Sequence, residues 1–230
     1  MKKLSLGGSI RTLATLATAS LFLVAPASAA SLLINGSFET GVPGNKAGLN
    51  NGALFSNLNT SGPSWDRWKK IDGWRTVSGS GIEIQSNRTL STIDAQDGTH
   101  YVELDSNSNS RMVQTVALTA GNYILSFWYS PRTANAQTNP IEYNLGGIVG
   151  GRVTNGYLGA TVGTWTQILQ TVTIAANGTY DLYFAAAGLS DSYGGLIDNV
   201  DLAPVPLPAA GLGLMAALGG LGALRKRRQR

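Results

Sequence analysis

The sequence contains no cysteine, a single histidine, and charged residues at only 13% of its 230 positions. Without cysteine there is no disulfide framework, no thiolate metal site and no thiol nucleophile. Stability must then come from a packed core, helped where needed by a bound ion. The lone histidine, His100, follows the Asp97-Gly98 turn, a position that suits a structural hydrogen bond better than general-base work. No Gly-x-Ser-x-Gly elbow, His-Glu-x-x-His pair or P-loop occurs. Between residues 31 and 203 there is also no amphipathic helical segment of useful length. These absences argue against the common catalytic classes and against a helical or α/β fold.

Charge is unevenly placed. Of the 17 basic residues, three lie in the first 29 and five in the last six, leaving nine against 13 acidic ones, a net of −4 for the middle. The overall +4 therefore belongs to the two ends and gives no support to nucleic-acid binding.

Each end reads as an address. Lys2, Lys3 and Arg11 precede the apolar run Thr12 to Val24, and Ala27-Ser28-Ala29 fits the small-x-small cleavage rule, so residues 1–29 are predicted to be a signal peptide. A retained transmembrane helix is the competing reading, for which the run falls short of ~20 residues. At the other end, residues 204–230 hold Val205-Pro206-Leu207-Pro208-Ala209, an uncharged apolar helix over 209–224 and a basic tail over 225–230. Those 16 apolar residues reach about 24 Å at a rise of ~1.5 Å, short of a ~30 Å hydrocarbon core. Glycine at 211, 213, 219, 220 and 222 weakens the helix further. A short, weak span before a basic stop suits a transient transmembrane tether, with the tail inside and the domain outside.

In this order, motif, helix and Arg-rich end resemble the VPLPA-CTERM variant of the PEP-CTERM bacterial sorting signals. The resemblance covers about the last 26 residues. It implies recognition by an exosortase, a membrane-embedded cysteine transpeptidase, and cleavage near Pro208-Ala209. An ordinary C-terminal anchor is the competing reading.

The middle, residues 30–203, is long enough for one domain with a substantial core. Period-2 runs recur between turn residues. Tyr123, Leu125, Phe127 and Tyr129 share one face, and Leu182 and Phe184 share another with Tyr180 and Ala186. Ile168, Val172 and Ile174 alternate with Leu169, Thr171 and Thr173. Further strands are predicted at 32–34, 74–77, 82–85, 101–105, 112–118, 141–144 and 196–202, punctuated by Asp97-Gly98, Gly121-Asn122 and Asn177-Gly178. This spacing predicts an all-β antiparallel sandwich or jelly roll, with residues 40–64 as a long surface loop.

The stretches Asn35-Gly36-Ser37-Phe38-Glu39, Gly98-Thr99-His100-Tyr101-Val102-Glu103-Leu104, Gly121 to Phe127 and Ile197-Asp198-Asn199-Val200 resemble the galactose-binding-like jelly-roll family, which includes many carbohydrate-binding modules. The resemblance implies that the first and last strands lie close together and that Glu39 and Asp198 hold a structural calcium there. Asp198 also shares strand parity with Leu196, Val200 and Leu202, which would turn its carboxylate inward, where it needs a cation or several hydrogen bonds. The competing reading has Asp198 accepting backbone bonds and Glu39 in solvent.

Trp65, Trp68 and Trp74 cluster with Arg75 and other charged residues, as an aromatic platform with adjacent polar groups would for a sugar; burial in the core is the competing role, above all for Trp74. Glu103 and Asp105, i and i+2 on one strand face, also admit a glycosidase pair, though exposed sandwich faces commonly carry such pairs. The expectation is a non-enzymatic surface or matrix protein that engages extracellular polysaccharide. A structural envelope component without free ligand is the rival, and a polysaccharide-acting enzyme the third reading.

Overall fold

A computed structural model describes residues 29–41, 44, 46–58, 64–90 and 93–205. The predicted signal up to residue 28 and the sorting segment beyond Val205 (Pro206, Leu207, Pro208, Ala209, the apolar run and the basic tail) lie outside the described residues.

Twelve strands follow in order: β1 Trp65–Trp68, β2 Lys70–Ile71, β3 Trp74–Ser78, β4 Ile82–Ser86, β5 His100–Glu103, β6 Arg111–Leu118, β7 Gly121–Ser130, β8 Ile141–Leu145, β9 Val149–Val153, β10 Thr166–Ile174, β11 Gly178–Ala186 and β12 Leu196–Pro204. They form two six-stranded sheets, β1-β4-β5-β12-β7-β10 and β2-β3-β6-β11-β8-β9. Every ladder is antiparallel. The described residues thus form an all-β, two-sheet sandwich, and their only helices are single 3-10 turns at Phe55–Asn57 and Tyr157–Gly159. None of the described helices is long and apolar enough to cross a membrane.

Alternation explains the layers. Tyr123, Leu125, Phe127 and Tyr129 of β7 are all buried, as are Ile168, Val172 and Ile174 of β10, whereas Leu169 on the opposite face is 58% exposed. From the second sheet, Leu182 and Phe184 of β11 face them, and the rings of Phe127 and Phe184 meet edge to face at 5.0 Å. Trp74 extends this aromatic stack to Phe38, with centroids 6.0 Å from Phe184 and 5.8 Å from Phe38. Gly121-Asn122 and Asn177-Gly178 mark the places where the chain crosses from one sheet to the other. The Asn177 side chain ties the two crossings together by accepting from the Ala120 N–H at 2.8 Å.

Several expectations change. Residues 32–34 form bends, because the Gln114 amide takes both backbone groups of Ile34, at 2.7 and 2.9 Å, in place of a ladder. Strand β1 runs through the aromatic and charged cluster, and β9 forms despite two interior glycines. The β8–β9 hairpin turns on Gly146 and Gly147, whose φ of 57° and 73° favour glycine. Among the described residues of the stretch 40–64, Phe55 and Leu58 plug the core and are not free surface.

The parity argument for Asp198 also fails, because β12 carries a bulge between Asp198 and Asp201 with Asn199 at φ 45°. Val200 and Leu202 enter the core between the sheets. Asp198 instead shares the outer face with Leu196, which packs against Tyr101 and Ile93. Its carboxylate is nonetheless buried, covered by the loop before β5.

Candidate functional site

The outer face of the first sheet carries an open cleft of ≈ 520 Å³. Strand register builds its floor. Trp65 lies opposite Gln85 and Arg67 opposite Glu83 on β1 and β4, and Glu83 lies opposite Glu103 on β5. Since directly opposed residues share a face, these side chains form two adjacent rows, while Ile82, Ile84 and Val102 fill the core beneath. Trp65, Glu83, Gln85 and Arg132 line the cleft, with Asn50, Asn107 and Ser192 at its edges.

One amide links the two carboxylates. Gln85 Nε2 donates to Glu83 Oε1 at 2.7 Å and to Glu103 Oε2 at 2.6 Å. Arg132 completes the network by donating to Glu103 Oε2 and to the Ser192 carbonyl, while its guanidinium stacks 4.8 Å from the Tyr193 ring centre. The Gly194 N–H donates to Glu103 Oε1 at 2.7 Å. Burial pushes the Glu103 carboxyl up to about 8 and the nearby Glu83 adds to this, against the opposing pull of Arg132. Burial raises Glu83 as well, opposed by hydrogen bonds from Ser106 and Gln85.

Surrounding loops are pinned by further carboxylates. Asp66, fully buried, accepts backbone N–H bonds from Asn50, Asn51, Ala53 and Arg67 at 2.7–2.9 Å, which brings Asn50 to the cleft edge. Asp105 accepts from the Asp191 N–H at 2.9 Å and so holds the loop that carries Ser192 and Tyr193. Asp105 and Glu103 therefore both brace one loop.

The expected sugar platform is only partly assembled. Trp65 lines the cleft. Trp68 is 2% exposed and packs on Phe55, its indole N–H donating to the Lys46 carbonyl at 3.0 Å. Trp74 is completely buried and donates to the Asn35 carbonyl at 3.1 Å. Neither ring offers a free face, because the alternation of β1 and β3 directs both into the core. Arg75 is exposed on β3 in the other sheet, away from the row that contains Trp65. Glu83, Gln85 and Arg132 were missed. The alternation Ile82-Glu83-Ile84-Gln85 did contain the signal for two of them, two polar side chains on one face of a strand.

Glu39 and Asp198 converge from opposite ends of the chain on residues 96–100. Glu39 Oε1 accepts the N–H groups of Thr99 and His100 at 2.8 and 2.7 Å, and Oε2 accepts from the Thr99 hydroxyl and meets His100 Nδ1 at 2.9 and 2.8 Å. Burial raises the Glu39 carboxyl, but these bonds from His100 and Thr99 outweigh it and hold the group low. Asp198 Oδ2 accepts from Gln96 and Asp97 at 2.7 and 3.0 Å, and Oδ1 from Asn199 at 2.6 Å. Burial nevertheless pushes Asp198 up to about 8, and Glu39 adds to the effect. With two lone pairs per oxygen, Glu39 has a protein partner at every acceptor site when His100 Nδ1 carries the proton, whereas Asp198 Oδ1 keeps one acceptor site. Among the described residues no group of three or more His, Cys, Asp or Glu side chains is arranged to hold a metal.

No family model matches this chain, and no curated protein matches its sequence. Solved structures of similar shape do exist. TmCBM61 in complex with beta-1,4-galactotriose is 18% identical, with a TM-score of 0.44 over 76% of this chain and 99% of that one. A structure described as CBM4 is 16% identical, with a TM-score of 0.38 over 75% and 99%. An arabinose-bound MgGH51 α-L-arabinofuranosidase is 13% identical at a TM-score of 0.47, but the match spans only 27% of that chain. These likenesses are loose, and the assignment of a role rests on the cleft.

Proposed function

We propose that this chain is a non-enzymatic, exported surface or matrix protein whose sandwich binds extracellular polysaccharide in the cleft between Trp65 and Arg132. The observation that carries this reading is the cleft: one indole at the wall of a shallow, polar groove floored by Glu83 and Gln85. An aromatic face takes the C–H side of a pyranose, and the amides, hydroxyls and carboxylate take its hydroxyls.

Hydrolysis is disfavoured by the same geometry. A glycosidase needs two carboxyl groups at the scissile bond, about 5–5.5 Å apart for retention or about 6.5–9.5 Å apart for inversion. Here Glu103 is 0% exposed behind Gln85 and occupied by Arg132 and Gly194, so Glu83 alone reaches the groove.

Our proposal extends to the ends of the chain. The Val205 to Ala209 motif supports processing by an exosortase-like transpeptidase after transient anchoring by the apolar segment. A structural calcium also belongs to it, held by the remaining acceptor site of Asp198. Glu39 would join only in exchange for its His100 and Thr99 donors. EDTA should then lower the melting temperature of the purified protein, and an unchanged value rejects the ion.

For the binding role, the full-length chain is titrated with soluble polysaccharides, and the host's own exopolysaccharide is used in a pull-down. Saturable binding that Trp65→Ala abolishes, with melting unchanged, is the expected result. Retention of no polysaccharide at all would favour a purely structural envelope component, and release of reducing sugar would favour an enzyme.

A further inference from the structure

The cleft contains an imbalance of charge and of hydrogen-bond acceptors. Glu83 lines it at 4% exposure, and its immediate partners, the Gln85 amide and the Ser106 hydroxyl, are both neutral. Among the described residues the ion pairs are His100–Glu39 and Arg132–Glu103, so Glu83 has no cation in contact, although the charges of Arg132 and Arg67 act on it from a distance. Arg132 is occupied by Glu103 and the Ser192 carbonyl. Arg67, opposite Glu83 on the neighbouring strand, turns its guanidinium to the Ser80 carbonyl at 2.8 Å.

A second acceptor is unmet. Gln85 is 1% exposed and lines the same cleft, yet its Oε1 has no hydrogen-bond partner. Its orientation is fixed, because only the Nε2 end can donate to both carboxylates. The floor therefore contains a desolvated carboxylate and a buried, orphaned amide carbonyl on the neighbouring row. Both ask for donors, and the carboxylate asks for positive charge.

We propose that the sugar unit taken by this cleft is a hexosamine with a free ammonium group, seated against Glu83 and the Gln85 carbonyl. The inference rests on the reading of the cleft as a polysaccharide site and names the chemistry it selects. An ammonium brings three donors and one charge, enough for Glu83, Gln85 Oε1 and one further oxygen. An N-acetylated hexosamine brings one N–H and no charge. A neutral hexose brings single hydroxyl donors. A uronic acid would set a second carboxylate against Glu83.

Binding of four tetramers to the full-length chain, followed by calorimetry, tests this: glucosamine, N-acetylglucosamine, glucose and galacturonic acid. The glucosamine tetramer should bind about tenfold or more tightly than the other three, as a charge-assisted bond in a desolvated site requires. Glu83→Gln should erase that preference while the protein still melts cooperatively, and added NaCl should weaken the glucosamine complex of the unaltered protein. Equal or tighter binding of the acetylated or neutral tetramer overturns the ammonium inference and leaves the sugar-site reading intact. Failure of glucosamine to bind while the host exopolysaccharide does bind overturns it in the same way. If no tetramer and no polysaccharide is retained, the sugar-site reading itself falls. Should Glu83→Gln not fold, the ranking of tetramers and the salt dependence decide alone.

Discussion

Asp198 and Trp65 show how a residue's role depends on which side of a strand it leaves. Asp198 sits under the loop at 96–97 with three backbone donors, and burial still pushes it up to about 8. In the unfolded chain it titrates as an ordinary carboxyl, near ~3.9. The native state thus binds more protons than the unfolded state between those values, so stability falls as pH rises through the window. In EDTA the melting temperature should accordingly drop between pH 5 and pH 8, with a shallower slope in Asp198→Asn. A slope unaffected by that substitution removes Asp198 as its source. Trp65 and Trp68 are separated by two residues, yet one lines the cleft and the other is 2% exposed. Residue type alone made them equal candidates, and strand parity separates them.

Among the elements, the opening segment and the last strand depend on each other. The Val200 N–H donates to the Gly36 carbonyl at 2.9 Å, and Leu32 donates to the Leu202 carbonyl at 2.8 Å. A Cβ on Gly36 would lie 1.9 Å from the Val200 carbonyl oxygen, an approach that backbone atoms on both sides cannot relieve. Gly36→Ala should cost about 1–3 kcal/mol or more, read as a lower denaturation midpoint with unchanged slope. A neutral result would mean that the opening segment is not docked on β12. The bulge at Asn199 acts at the same scale. It reverses which side chains of β12 enter the core, and its φ of 45° falls in a region that asparagine tolerates better than most residues. The Asn199 amide also donates to Gln96 Oε1 at 2.7 Å, so the bulge and the loop over Asp198 are coupled.

At the scale of the whole molecule, two kinds of information lie end to end along one chain. The middle folds into a sandwich with its polar cleft on an outer face. The ends carry the segments that our proposal reads as sorting signals, a reading that depends on residue order and composition. Replacing both Pro206 and Pro208 by alanine in the full-length chain should leave an unprocessed form in the membrane fraction, detected by intact mass. Processing at the same site and to the same extent would remove these prolines from the recognition.

How much was legible follows from the range of the forces involved. The sandwich class could be read from residues 121–186, because alternation along β7, β10 and β11 is a local, period-2 record of one buried and one solvated face. The cysteine-free composition and the placement of charge were equally local. The cleft was not, since Glu83, Glu103 and Arg132 are separated by up to 49 residues and meet only through the register of β4 on β5 and the loop after β7. Register depends on which strands are neighbours and where a bulge falls, and both are decided by packing between segments distant in the chain. The sequence by itself thus determined the alternating strands β7, β10 and β11 and the kind of core they bury. Tertiary structure alone decided which tryptophan lines the cleft and which carboxylate has no cation in contact, because both depend on register between segments distant in the chain.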